Sequence, residues 1–359
     1  MKTIIFVHGL GGWGTDENII DYWSEHLIDT HFPPNEYNTF IASVGAISSN
    51  WDRACELYAQ IKGTVTDYGE YHSKSHGHKR FGTNFTTPFY PEWSEENPIT
   101  LIGHSMGGQT IRQLEKLLQI GDYNERKQTK DDLSGLFVGQ GRLIENLITI
   151  STPHLGSPLF DIFTKGFTDK IKDTVIKIGN AFNKNSFMQD FYNMDIDQFC
   201  LEREVDETDE LYKLRIDNHP IWKTDYKDIS SYDLSPKGAE EFNNASSEVY
   251  QETKYLAVAT YMSYEFMGFS VVSPFMLPWL MFTGFLMGWN GHNDGMVPLS
   301  SSRGPGKSIL LKPDNTVSCA VWYTFDVYLD HMQVLGTMTI YNDRINDTYS
   351  KIKAFIETG

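Results

Sequence analysis

Ile99-Thr100-Leu101-Ile102-Gly103-His104-Ser105-Met106-Gly107-Gly108 is the stretch on which the reading of this chain turns. The first four residues form a short apolar run that predicts a buried strand, and Gln109-Thr110-Ile111-Arg112-Gln113-Leu114 predicts the opening of a helix. A serine between glycines at a strand-to-helix turn is the nucleophile-elbow pattern G-x-S-x-G. The turn is so tight that the flanking positions tolerate almost no side chain, hence Gly103 and Gly107. Its strain pushes the Ser105 hydroxyl out at the carboxyl end of the sheet. The helix start behind it aims backbone N–H groups at the place where an oxyanion would form. A glycine-rich structural turn is the plainer alternative, and the strand before and helix after Ser105 favour a nucleophile over it.

Working outward, Thr3 to Val7 predicts a first strand that runs into His8-Gly9-Leu10-Gly11-Gly12-Trp13-Gly14. A glycine-rich loop after a first strand could cradle a phosphate, but this one lacks the P-loop lysine. In a serine hydrolase a His-Gly-x loop has another task. The backbone N–H of Leu10 would join that of Met106 in an oxyanion hole. Further strands are expected at Asn38 to Val44, at Leu147 to Ile150 before Ser151-Thr152-Pro153-His154, and at Tyr255 to Thr260. Each special loop follows a short apolar run, as in an α/β architecture whose parallel strands present ligands at their carboxyl ends.

A serine hydroxyl is a poor nucleophile until a histidine takes its proton and a carboxylate orients that histidine. On an elbow of this type the order along the chain is Ser, then Asp or Glu, then His. Only His292 and His331 lie beyond His219. His331, in Asp326-Val327-Tyr328-Leu329-Asp330-His331-Met332, stands late enough to be the base. Asp294, in His292-Asn293-Asp294-Gly295, has a turn-forming glycine beside it and is the expected acid. Asp330 abuts His331, and adjacent side chains rarely face each other. His292 is too close to Asp294 to serve with it. The expected triad is Ser105, Asp294 and His331.

The 359 residues suffice for one large α/β domain with insertions or for two domains. A net charge of −17 argues against nucleic acid and strongly anionic membranes as partners and suits an uncharged substrate. Cys55, Cys200 and Cys319 cannot all pair, and no CxxC pattern occurs, so no disulfide framework is expected. The opening residues run directly into the glycine loop without the pattern of a signal peptide, which by itself suggests a mature or intracellular chain.

Two long stretches separate the strands. One, residues 48–93, is rich in histidine, tyrosine and glycine. The other, residues 157–233, carries Phe167, Ile171, Val175, Ile178 and Phe182 at helical spacing, with lysines between them. Such a stripe packs on a core or forms a lid over the serine. Residues 266–289 contain no charge and are long enough to cross a bilayer, but Gly268, Pro274, Pro278, Gly284 and Gly288 interrupt them. They are expected as broken apolar segments in the core or an acyl pocket.

His72-Ser73-Lys74-Ser75-His76-Gly77-His78 has the density of a metal site, although histidines are also common in polar loops. At this point the chain resembles the thermoalkaliphilic bacterial lipases and their staphylococcal relatives. The resemblance runs through His8 to Trp13, Ser48-Ser49-Asn50-Trp51-Asp52-Arg53-Ala54-Cys55-Glu56, Asp67-Tyr68-Gly69 and the histidine cluster. It resumes at the elbow, at Thr152-Pro153-His154, at Tyr232-Asp233-Leu234-Ser235, at Asn293-Asp294-Gly295 and at Asp330-His331. It implies an α/β-hydrolase fold as a single domain over residues 1–359, triacylglycerol hydrolysis, a helical lid and a structural zinc. Carried over, the zinc ligands fall on Asp52, His72, His78 and Asp233, with His76 left out. The family's calcium site uses acidic residues at the positions held here by Gln333 and Met338, and their replacement argues against calcium. Relatives are usually secreted, which leaves localisation open. The expected function is a lipase acting on a lipid or ester substrate at a transient lipid–water interface, with no stable protein partner. A carboxylesterase for short soluble esters is the alternative.

Overall fold

The computed structural model describes the chain except residues 15–20, 130, 163–168, 170–171, 174–175, 177–196, 202, 205, 224, 247–248, 268, 288–290, 313–315, 338–341 and 359. The stripe Phe167, Ile171, Val175, Ile178 and Phe182 lies outside the described residues, as does Met338. In chain order the strands are β1 (Lys2–Val7), β2 (Tyr37–Ala42), β3 (Val65–Asp67), β4 (Phe81–Asn84), β5 (Ile99–His104), β6 (Ile144–Ile150), β7 (Lys254–Tyr261), β8 (Ser263–Phe266), β9 (Phe269–Val272), β10 (Ser308–Leu310) and β11 (Trp322–Tyr328). The helices are α1 (Glu25–His31), α2 (Asn50–Lys62), α3 (Glu70–His76), α4 (Met106–Ile120), α5 (Tyr123–Gln128), α6 (Asp209–Asp217), α7 (Ser230–Asp233), α8 (Pro236–Asn244), α9 (Pro278–Leu286), α10 (Leu299–Ser302) and α11 (Asn342–Glu357).

Seven strands form one sheet in the order β10-β11-β7-β6-β5-β1-β2, and every neighbouring pair is parallel. Helices cover both faces, which is why Ile4-Ile5-Phe6-Val7 reads as an unbroken apolar run rather than an alternation. Ile4 and Phe6 join Ile102, Ile148, Val258 and the α11 residues Tyr349 and Ile352 on one face. Ile5 and Val7 join Leu101, Leu147, Ala54 and Leu57 of α2, and Ile111 and Leu114 of α4 on the other. β2 stops at Ala42 rather than at Val44, because Gln60 takes both backbone groups of Ser43 out of the ladder.

The uncharged stretch 266–289 enters a hairpin of β8 and β9 and then α9, which starts at Pro278 where a missing N–H costs nothing. No helix among the described residues is long and apolar enough to cross a membrane. The expected placement in the core or an acyl pocket holds for part of this stretch only. Leu280 and Gly284 pack inward, while Phe275, Trp279, Phe282 and Phe285 are exposed.

α4 carries one buried acid, Glu115, which accepts the Tyr255 hydroxyl at 2.7 Å. Burial pushes its pKa from 4.5 up to about 7, against the pull of hydrogen bonds from Tyr255 and Thr253 and the charge of Arg112. A raised carboxyl pKa means that the folded state holds the proton longer than the unfolded chain. Stability from this group is therefore complete below pH 4.5 and falls as pH rises to about 7, by about 3 kcal/mol in all. Glu115→Gln should narrow the difference between urea midpoints at pH 5 and pH 8. An unchanged difference would show that Glu115 ionises normally.

Candidate active site

Ser105 follows β5 and precedes α4 with φ 55° and ψ −124°, a conformation that side chains rarely adopt. The glycines around it are there for space. A Cβ on Gly103 would lie 2.4 Å from the Gly107 carbonyl carbon, and one on Gly107 would lie 2.2 Å from the Val7 oxygen. Ser105 Oγ is 2.9 Å from His331 Nε2, and His331 Nδ1 is 2.8 Å from Asp294 Oδ2. The three sequence-predicted residues thus meet, although 226 positions separate the serine from the histidine.

The carboxylate of Asp294 is fully buried and held on both oxygens. Oδ1 accepts the Met296 and Val297 N–H groups, and Oδ2 accepts the Thr260 hydroxyl as well as the imidazole. His292 turns away and pairs with the Ser263 hydroxyl at 3.0 Å. Asp330 accepts the Leu277, Met332 and Gln333 N–H groups and so braces the loop that carries the base.

Met106 is the first residue of α4, where a backbone N–H has no acceptor within the helix. The Leu10 N–H lies between two fixed neighbours, since Gly9 N–H is bound by the Tyr22 hydroxyl at 2.9 Å and Gly11 N–H by the Ala46 oxygen at 2.8 Å. The loop is also gripped from beneath. The buried Arg53 guanidinium donates to the His8 and Gly45 carbonyls and to the Thr110 hydroxyl. Burial, with Arg53 nearby, lowers His8 to about 3, so its ring is neutral. That neutral ring donates from Nδ1 to the Gly9 oxygen and accepts the Val44 N–H on Nε2. A cavity of about 180 Å³ opens over Ser105 and His331, walled by Leu10, Trp13, Phe160, Trp279 and Val297.

A second cluster sits on α2 and α3. Asp52, His72, His78 and Asp228 each bring one ligand atom to within 4.8 Å of the others. Asp52 Oδ1, His72 Nε2, His78 Nε2 and Asp228 Oδ2 are all buried without a hydrogen-bond partner. His72 Nε2 lies 3.3 Å from Asp52 and 3.2 Å from Asp228, and His78 Nε2 lies 3.1 Å from Asp228. Ligands bound tetrahedrally at metal distances of 2.0–2.1 Å sit about 3.3 Å apart, so the four residues fit a metal ion. Burial disfavours a charged His72, yet the Asp228 and Asp52 carboxylates raise it to about 10. The site therefore demands positive charge. Glu125 aims His72 by accepting the Tyr71 and His72 N–H groups, and Trp51 stacks on its ring.

The fourth residue that the structure brings to this cluster is Asp228, whereas the resemblance implied Asp233. Asp228 lies just before α7 and reaches the histidines. Asp233, at the end of α7, is turned toward the start of α2 and accepts the Asn50 N–H at 2.6 Å. Its carboxylate caps a helix instead. Gln333 offers only a neutral amide, which is taken up by the Asp330 N–H and the Phe275 oxygen.

Residues 1–356 match the family described as the lipase-like, C-terminal domain. The chain belongs to this family. Lipase 1 of Staphylococcus aureus is 32% identical over 357 residues, which cover 93% of this chain and 50% of that protein. This lipase-family chain thus spans about half the length of the curated relatives it matches. The structure of EstA from Clostridium botulinum aligns with a TM-score of 0.85 at 33% identity, covering all of this chain and 87% of that one. The Staphylococcus hyicus lipase aligns with a TM-score of 0.87 at 28% identity, covering 99% and 94%. The fold is that of the α/β-hydrolases, as the resemblance implied.

Two functional contacts escaped the sequence. The Tyr22 hydroxyl is 2.6 Å from His104 Nδ1, and His104 Nε2 is 2.8 Å from the His331 carbonyl. One chain of hydrogen bonds therefore joins the glycine-rich loop at Gly9 to His331. The position of His104 beside the nucleophile was the available signal. Nothing in the sequence pointed to Tyr22 or to Thr260.

Proposed function

We propose that this chain hydrolyses carboxylic esters of fatty acids by an acyl-enzyme route, with Ser105, His331 and Asp294 as its triad. The observation that carries the reading is the continuous hydrogen-bonded line from Ser105 Oγ through His331 to Asp294. As Oγ attacks the ester carbonyl carbon, its proton passes to His331 Nε2, and the carbonyl oxygen becomes an anion facing the Leu10 and Met106 N–H groups. Asp294 keeps the other imidazole nitrogen protonated and steadies the imidazolium. Collapse of the tetrahedral intermediate breaks the ester C–O bond, and His331 hands its proton to the departing alcohol. Water repeats the sequence on the acyl-serine, which releases the fatty acid and restores Ser105.

The apolar cavity and relatives named as lipases support triacylglycerol-type substrates over short soluble esters. Rates on esters of rising chain length, measured below and above each solubility limit, test this choice. A rate that climbs when droplets appear supports a lipase. A rate already saturated on a dissolved short ester would make the chain a carboxylesterase, as the name EstA of one structural relative allows.

Two imidazoles and two carboxylates suit zinc, with Asp52, His72, His78 and Asp228 as its ligands. Four protein ligands leave no open position for water, so the ion would brace the fold rather than join the chemistry. In this reading residues 1–359 act as one catalytic domain, and the stretch 48–93 supplies three of the four ligands. Calcium is given no role. Adding millimolar calcium should move the Tm by less than about 1 °C. A rise of several degrees, reversed by a calcium chelator, would show that other oxygens have built such a site.

A further inference from the structure

The uncharged stretch after β7 leaves an unusual surface. Phe266, Met267, Phe275, Trp279, Phe282 and Phe285 are each at least 52% exposed. Trp279, Phe282 and Phe285 recur every third residue and share one side of α9, while Leu280 and Gly284 on the opposite side hold the helix to the body. Phe266 and Met267 lie at the end of β8, toward the turn of the β8–β9 hairpin, and the hairpin's other strand, β9, leads on to α9. From Phe266 to Trp289 there is no Asp, Glu, Lys, Arg or His, in a chain whose net charge is −17. Side chains of this size at such exposure leave on the order of 600 Å² of apolar surface in water. That is at the upper end of what a soluble monomer tolerates.

We infer that this face docks on a lipid surface without net charge and sets the catalytic cavity against it. Three observations choose that occupant. Trp279 belongs both to the face and to the wall of the cavity above Ser105 and His331, so whatever covers the face also reaches the cavity mouth. Tryptophan and phenylalanine without basic neighbours suit the interfacial layer of an uncharged membrane or droplet, whereas anionic lipid recruits lysine and arginine. The negative charge on the rest of the molecule opposes anionic lipid further. A second copy of the chain is the competing occupant, and the test below separates it from lipid. The face is displayed by α9 and the hairpin. The inference rests on the lipid-ester reading above for its purpose, but its test does not.

The test uses the full chain with Ser105→Ala, so that lipid is bound without being consumed, and phosphatidylcholine vesicles pelleted by centrifugation. The protein should sediment with the vesicles, and Met267→Ser with Phe285→Ser should cut that partition at least tenfold. Replacing a fifth of the lipid by phosphatidylglycerol should weaken binding. The same pair of changes in the active enzyme should leave hydrolysis of a dissolved short ester unchanged. Equal sedimentation with and without the two changes would overturn the inference. So would a dimer in light scattering that the two changes dissolve, since a second copy would then own the face. Vesicle binding by a wild-type protein that hydrolyses no ester would sink the proposed function and leave the docking face standing.

Discussion

Ser105→Ala is expected to lower kcat/KM for any ester by ~10⁴-fold or more while leaving the far-ultraviolet spectrum and Tm unchanged. The loss is large because, in the proposed mechanism, the hydroxyl that lies 2.9 Å from His331 Nε2 is the attacking atom. His331→Ala should match it, since the unassisted hydroxyl keeps its proton. Asp294→Asn should cost nearly as much. An amide in that position presents the wrong group to Nδ1, and it also disturbs the bonds from Met296, Val297 and Thr260. His292→Ala should cost far less, because among the described residues its ring meets Ser263 and the Tyr261 ring rather than Ser105. A serine-directed phosphonate should label Ser105 alone. An inactive His292→Ala beside an active His331→Ala would refute the assignment of the base.

The second large effect concerns the buried cluster. Asp228→Ala should abolish stoichiometric metal and lower the Tm by roughly 5–10 °C, because it removes a ligand and leaves His72 and His78 facing one carboxylate. Asp233→Ala should keep the metal and lose only the cap on α2, at a cost of about 1 kcal/mol. Elemental analysis of protein purified without added metal separates the two. Metal lost from Asp233→Ala and retained in Asp228→Ala would restore the ligand set that the resemblance suggested. Zinc well below one equivalent in the wild type would remove the ion from the account.

What was legible in the sequence was what short-range grammar encodes. The elbow at Ser105 declares itself because strand, glycines and helix are contiguous, and the chain order of acid and base then leaves few candidates. β1, β5, β6 and β7 are readable because strands buried on both faces must be apolar throughout. The edge strand β10 has three residues, two of them exposed, and carries no such signal. Asp228 and Asp233 stand five residues apart in one stretch, and no pattern tells which precedes the turn of α7 and which ends it. The direction of the α9 aromatics was equally hidden, because an uncharged run of Phe, Met and Trp reads alike for a core, a pocket wall or an outward face. Tyr22 and His104 meet across 82 residues, and a contact of that kind belongs to the tertiary fold alone.

The hydrogen bond from Lys2 Nζ to the Ile356 oxygen spans 354 positions, and Tyr37 binds Glu357 across 320. On the ribosome this means that the first strand is made long before the helix that covers it. Ser105 likewise emerges without its base until residue 331 has followed. Partial chains therefore carry Ser105 in its loop but neither the complete sheet nor His331. The appearance of esterase activity during synthesis or refolding would accordingly time the docking of α11 and the last strands, rather than the formation of the elbow.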